Sequence, residues 1–310
     1  MVTPRLRIGT RGSPLALVQA RMVRDALVAS HAGLAAEGAI EIVPLVTTGD
    51  KVQDRTLTEI GGKGLFTREI EDGLLGGQLD LAVHSMKDMP TRLPDRLTLA
   101  AFLPRADSRD ALVAPGYERI GDLPSGAVVG TAALRRKAQL LHLRPDLQII
   151  PFRGNVGTRL RKLEEGQATA TILALAGLLR LQRSDVGIPI PPEEMLPAVG
   201  QGAICVECRE DRPDILALLQ PINDIATSLC VRAEHALLAA LDGSCRTPIA
   251  GHARLVAGTL ELAALVASED GRRIWRAAGS AAPADGPRLG DDLGDKLRRD
   301  AGTELFVPAA

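Results

Sequence analysis

The sequence predicts an α/β protein of two similar lobes followed by a small α+β domain. Three observations carry that expectation. Short apolar runs alternate with amphipathic stretches from Leu6 onward, the signature of strands alternating with helices. The same pattern starts afresh after Pro104. From about Ile222 the style changes to one long helical stretch, then three strand-like runs separated by Ala257-Gly258 and Asp270-Gly271. Two βαβ-like lobes joined by a returning linker imply a two-domain clam with its ligand in the cleft. The expected boundaries are residues 1–103 with 198–220 for domain 1, 104–197 for domain 2 and 221–310 for domain 3.

The elements follow in order. Leu6 to Thr10 is a first strand, and Ser13 with Pro14 reads as the N-cap and first residue of a helix. Leu15, Leu17, Val18, Met22 and Leu27 are the expected apolar side of that helix. Ile40 to Thr47 is a second strand, and the polar, aperiodic Gly49–Thr58 stretch is expected to be a mobile loop. Gly61-Gly-Lys-Gly-Leu-Phe66 precedes a helix over Thr67–Leu75; Gly64 follows its lysine where a Walker loop needs Ser or Thr. Leu79 to Met86 is the next strand. Strands follow at Asp110–Ala114, Ala127–Gly130 and Leu147–Phe152, with helices opening near Leu134 and, capped by Asn155, running to Glu165. Ala170–Leu181 is strand, then helix. Pro189, Pro191, Pro192 and Pro197 mark the returning linker, and Gly200-Gln-Gly202 leads into a strand around Cys205. A helix over Asp224–Leu241, three strands and a charged helix near Asp291–Arg299 complete the chain.

Composition narrows the function. A formal net charge of −1 and 2% aromatic residues offer neither the basic field nor the stacking rings of a nucleic-acid binder. With no signal-like N-terminus and no apolar run long enough for a bilayer, a cytoplasmic protein with no membrane partner is expected. Four cysteines in 310 residues do not make a disulfide scaffold. Cys205-Val-Glu-Cys208 lacks the second pair a zinc site needs, and within a strand its thiols read as buried structural groups.

Candidate chemistry concentrates at strand ends. The run Leu79-Asp-Leu-Ala-Val-His-Ser-Met-Lys-Asp-Met-Pro90 delivers Ser85, Lys87 and Asp88 to a strand's C-terminal end, where ligands of open α/β sheets bind. Arginine recurs at helix starts, where the macrodipole disfavours a cation unless an anion is bound: Arg11, Arg135 and Arg136, and Arg153 and Arg159 around the Asn155 cap. Arg180 ends a further strand–helix segment. A single such arginine reads as a surface side chain; the set reads as a site for carboxylates or phosphates. Cys245, in the Gly/Ser turn before Arg246, has the electropositive setting that favours thiolate. These features alone also fit a non-enzymatic two-lobe polyanion-binding protein.

With those residues in view, the chain resembles the porphobilinogen deaminase (hydroxymethylbilane synthase) family over nearly its whole length. The resemblance rests on Gly9-Thr-Arg-Gly-Ser-Pro-Leu-Ala16, Gly61-Gly-Lys-Gly-Leu-Phe66, Val83-His-Ser-Met-Lys-Asp88, Leu134-Arg-Arg136, Phe152-Arg-Gly-Asn-Val-Gly-Thr-Arg159, Pro197-Ala-Val-Gly-Gln-Gly-Ala203 and Gly243-Ser-Cys-Arg-Thr-Pro-Ile249. It implies two periplasmic-binding-protein-like α/β domains plus a C-terminal α+β domain. It implies a transferase that joins four porphobilinogen molecules head to tail, losing ammonia each time, and releases the linear tetrapyrrole hydroxymethylbilane. The cofactor implied is a dipyrromethane on a thioether to Cys245, with no metal. Asp88 matches the catalytic carboxylate, which stabilises the cationic azafulvene left when ammonia departs. Ser85, Lys87, Thr131, Arg135, Arg136, Arg153 and Arg159 match cofactor-binding positions. Arg11, Ser13, Phe66, Arg153, Arg159, Arg180 and Gln201 match substrate-binding positions, although Phe66 reads equally well as core. Ala133 stands where many members have Ser, and Val18 where some have a bulky aromatic. A monomer that passes its product to the next enzyme of tetrapyrrole synthesis is implied.

Overall fold

A computed structural model of the chain describes residues 6–51, 67–242 and 247–302. Contacts gather 6–51, 67–106 and 203–228 into one compact unit and 107–202, 229–242 and 247–302 into a second.

The first unit is built on a five-stranded mixed sheet. β1 (Leu6–Arg11) pairs in parallel with β2 (Ile40–Leu45) and with β3 (Leu81–Ser85). Beyond β3 lie a late strand and then β4 (Leu97–Phe102). Helix α1 (Pro14–Ser30) follows β1 directly. Ser13 caps it, accepting a bond from the Ala16 amide at 3.3 Å, and Pro14 starts its first turn, where the missing N–H costs nothing. Its buried stripe is Ala16, Gln19, Ala20, Val23 and Leu27; of the apolar side expected, Leu27 is buried, whereas Met22 is exposed and Leu15, Leu17 and Val18 are only partly covered. Small residues at i, i+4 and i+7 let the helix lie close on the sheet, against Ile8, Leu81 and Val83. The Gly49–Thr58 stretch begins as one helical turn, α2 (Thr48–Lys51), where a loop was expected; its later residues lie outside the described ones. α3 (Arg68–Leu75) precedes β3.

The second unit repeats the plan. β5 (Asp110–Val113), β6 (Val128–Gly130), β7 (Gln148–Ile150), β8 (Ala170–Ala174) and β9 (Ile188–Pro189) form a sheet in the order β7-β6-β8-β5-β9. Its helices are α4 (Leu134–Leu143), α5 (Val156–Glu164) and α6 (Leu175–Arg180). Asn155 caps α5, accepting from the Thr158 amide at 2.9 Å. The late strand of the first sheet is β10 (Ile204–Arg209), antiparallel to both β3 and β4, giving the order β2-β1-β3-β10-β4. In the second sheet β5 holds the corresponding place, antiparallel to β8 and β9. Each sheet is therefore interrupted, fourth in order, by the strand at which the chain passes between the two α/β segments.

β4 and α7 (Pro213–Leu219) were not expected from the sequence. α8 (Ile225–Ala240) is the long helix foreseen there. Its buried Ala233 and Leu237 pack with β11 (Ile249–Val256), β12 (Thr259–Ala267), β13 (Ile274–Ala281) and α9 (Gly286–Ala301). The strands form one antiparallel meander, as the two turn signals predict. α9 is longer than the charged segment suggests, because Gly286, Gly290 and Gly294 carry it along α8; a Cβ on Gly290 would lie 2.2 Å from the Ala233 carbonyl oxygen. Cys205 and Cys208 are buried free thiols, and burial pushes the Cys208 thiol up to about 11.

Candidate active site

In the first unit the chemistry gathers at the C-terminal ends of β1 and β3, parallel neighbours in one sheet. β3 is covered on both sides until Ser85, where a 3₁₀ turn over Met86–Asp88 buries Met86 and leaves Lys87 and Asp88 partly exposed. Ser85 exchanges hydrogen bonds with the Gln19 amide of α1 at 2.8 and 3.1 Å, which ties the strand end to that helix. Arg11 ends β1, and its guanidinium reaches to 3.9 Å from the Asp88 carboxylate, with side-chain exposures of 24% and 36%. That ion pair is long and wet: it holds the acid near a cation without neutralising it tightly. Ser13 is engaged as the α1 cap. Phe66 and the Gly61–Gly64 run lie outside the described residues, as does Cys245.

The second unit treats its arginines differently. Gly130 ends β6 under the Phe152 ring, so close that a Cβ would meet it at 2.4 Å. Thr131 follows, buried, its hydroxyl accepting from the Ala133 amide at 3.2 Å. Ala133 occupies the N-cap of α4 and gives it no side-chain cap. Arg135 and Arg136, in the first turn, fold inward and are 6% and 4% exposed. Both reach Asp110 at the head of β5, which is fully buried: Arg135 Nη1 to Oδ2 and Arg136 Nη2 to Oδ1, each 2.7 Å. Arg136 also donates to the Ile172 carbonyl and Arg135 to the Leu196 carbonyl. Burial alone would raise the Asp110 carboxyl, but the two guanidiniums outweigh it and hold it well below the ordinary carboxylate range. Burial, together with repulsion by Arg136, lowers the Arg135 pKa.

Gln201 lies in the same cluster, 1% exposed, its amide donating to the Ser108 carbonyl at 2.8 Å and to Asp110 at 2.9 Å. Arg180, at the end of α6, donates from Nη2 to the Gly202 carbonyl at 2.7 Å. No carboxylate pairs with it among the described residues, and burial pulls its pKa down to about 10, which leaves it cationic at neutral pH. Arg153 and Arg159 flank the Asn155 cap, both partly exposed; Arg159 Nε donates to the Gly154 carbonyl at 3.0 Å.

The sequence missed Asp110. Its clearest signal was a charged residue heading a fully apolar strand, but its arginines are 25 and 26 residues away, and no local pattern links them.

The cation surplus fits a ligand rich in carboxylates. Asp110 carries one negative charge against two guanidiniums, and among the described residues Arg180 pairs with a carbonyl and with no carboxylate. A dipyrromethane, each ring bearing acetate and propionate, has the charge such a set would hold.

Comparison with known proteins points the same way. Residues 6–217 match the model of the porphobilinogen deaminase dipyrromethane cofactor-binding domain, and residues 228–299 that of the porphobilinogen deaminase C-terminal domain. A porphobilinogen deaminase from Paracoccus denitrificans is 54% identical over 302 residues, covering 97% of this chain and 96% of the relative. The chloroplastic porphobilinogen deaminase of Pisum sativum is 50% identical over 309 residues, covering 98% and 84%. Among solved structures, the periplasmic aliphatic sulphonate binding protein of Escherichia coli aligns with 77% of this chain and 70% of its own, at 14% identity and a TM-score of 0.42. At that score the likeness adds nothing to the sheet topology described above. Family models spanning most of the residues and relatives sharing half of them over most of their own length place the chain in the porphobilinogen deaminase family.

Proposed function

We propose that the chain is a hydroxymethylbilane synthase, a transferase that condenses four porphobilinogen molecules in sequence and hydrolyses off the linear product. Each addition forms one carbon–carbon bond between pyrroles and releases one ammonia. The observation that supports this most directly is Asp88, a carboxylate at the end of a buried strand whose ion-pair partner among the described residues is Arg11, 3.9 Å away. So loose a pair leaves the carboxylate able to accept a pyrrole N–H and to stabilise the positive charge that develops as ammonia leaves. The same carboxylate then assists the ring-carbon proton loss that restores aromaticity.

Arg11, Arg153, Arg159 and Arg180 take acetate and propionate groups of substrate, with Ser13, Phe66 and Gln201 at the same family positions. Ser85, Lys87, Thr131, Arg135, Arg136, Arg153 and Arg159 hold the resident dipyrromethane. Attached through Cys245, in a C-terminal domain over 221–310, that group supplies a two-ring primer with a reactive α-carbon. The protein acts as a cytoplasmic monomer and passes its product to the next enzyme of the pathway.

Intact-mass measurement tests the reading. Wild-type protein carries the mass of a covalent dipyrromethane, Cys245→Ser is folded but unmodified and inactive, and Cys205→Ala retains both cofactor and turnover. A Cys245→Ser protein that still carries the adduct defeats the assignment. An unmodified wild-type protein that binds polyanions favours a non-enzymatic binding protein.

A further inference from the structure

We propose that Asp110 is a positioning residue that sets both the direction and the net charge of the Arg135–Arg136 pair. The proposal rests on the reading that this pair holds cofactor carboxylates, and adds what makes it able to.

Two guanidiniums in the first turn of one helix repel each other and are disfavoured by its dipole. Left alone they would swing into water. Here both are more than nine-tenths buried and point toward one fully buried carboxylate, one on each oxygen at 2.7 Å. Asp110 is itself fixed from outside the pair by the Gln201 amide at 2.9 Å. Gln201 follows Gly200, whose amide donates at 2.7 Å to the buried Glu234 of α8. The arginines are thus anchored through Asp110 and Gln201 to a segment that α8 holds still. The charge sum is the second consequence. Two cations and one anion leave one positive charge, which an incoming carboxylate balances. Without Asp110 the pair would carry two uncompensated buried charges; with a second acid it would have no preference for an anion. Removal of Asp110 therefore damages anion capture by misplacing the arginines, even though Asp110 touches no ligand.

The test uses full-length Asp110→Asn, Arg136→Gln and Asp110→Asn/Arg136→Gln, produced without cofactor and incubated with porphobilinogen. Two quantities are read: the rate of covalent loading, by intact mass, and the melting temperature. Asp110→Asn is expected to load at least ten-fold more slowly and to melt lower. The double variant recovers part of the lost melting temperature, because its buried charge returns to one. It loads no more slowly than Asp110→Asn, because an arginine already misplaced has little left to lose. Wild-type loading by Asp110→Asn overturns the proposal, as does a double variant whose loading defect is the product of the single ones. If Asp110→Asn alone fails to fold, the double variant is compared with Arg136→Gln: slower loading, from an Arg135 left without its anchor, supports the proposal and equal loading overturns it. Normal loading by Arg136→Gln instead refutes the cofactor-holding role of Arg136, an outcome separate from failure of Asp110.

Discussion

The joint between β1 and α1 and the joint between β6 and α4 both place arginine where a strand hands over to a helix, yet they use it in opposite ways. Arg11 meets its acid at 3.9 Å in partial contact with water. Arg135 and Arg136 meet theirs at 2.7 Å in the interior. A wet, long pair contributes little to stability and leaves the carboxylate in partial contact with water. A buried, close pair fixes its geometry, and breaking it leaves a charge stranded. One sequence signature therefore builds two different arrangements: at the first joint a partly exposed carboxylate beside a cation, at the second a buried cluster of two guanidiniums on one carboxylate.

The largest effect should come from the loose joint, through chemistry and not through stability. Asp88→Asn keeps shape and an acceptor but removes the charge. Single-turnover rates on protein supplied with preassembled cofactor are expected to fall by about 10²-fold or more, the scale for losing one preorganised electrostatic group. Near-normal turnover would move the catalytic role elsewhere. Stability separates the joints in the other direction. Arg136→Gln removes charge-assisted bonds to Asp110 while Arg135 still pairs with it, and should cost roughly 1.5–3 kcal/mol in denaturant unfolding, against less than about 1 kcal/mol for Arg11→Gln. Equal losses would erase the distinction.

Acid sharpens it further. The folded pKa of Asp110 is depressed, so its contribution is complete above the unfolded carboxyl value of about 4 and is lost as pH falls through the folded one. The stability gap between wild type and Arg136→Gln should hold steady from pH 8 to about pH 5 and narrow only below about pH 4. The smallest effect concerns the uncapped start of α4. Ala133 already has extended backbone, with φ −88° and ψ 115°. Ala133→Ser should add a cap worth about 0.5–1 kcal/mol, read as a small rise in melting temperature.

Local rules written in neighbouring residues made much of this legible. Ser13 with Pro14 and Asn155 announced their helices, and the turns at Ala257-Gly258 and Asp270-Gly271 announced the meander. The arginine joints were legible because each breaks a rule of helix electrostatics within one turn. What escaped was set by distant partners. The buried face of α1 is chosen by how near the sheet lies, which favoured Ala16 and Ala20 over Leu15 and Leu17. β4 draws its order from β10, more than a hundred residues away. Asp110 reads locally as a polar residue at a strand start, and only the fold reveals it between two arginines.

The strand exchange has a consequence for how the chain is made. β4 pairs with β10, and β3 pairs with β1 on one side and β10 on the other. As the chain leaves the ribosome, the first sheet cannot close until residues 204–209 emerge. In the interval the whole of the second sheet is synthesised, and its own interrupting strand, β5, needs only β8 and β9, both of which precede residue 204. The later-coded sheet can therefore be complete first, while β3 waits with one open edge and β4 has no strand beside it. Such waiting edges invite wrong pairing, so slowed synthesis between residues 110 and 204 would bear on yield more than on the stability of the finished protein.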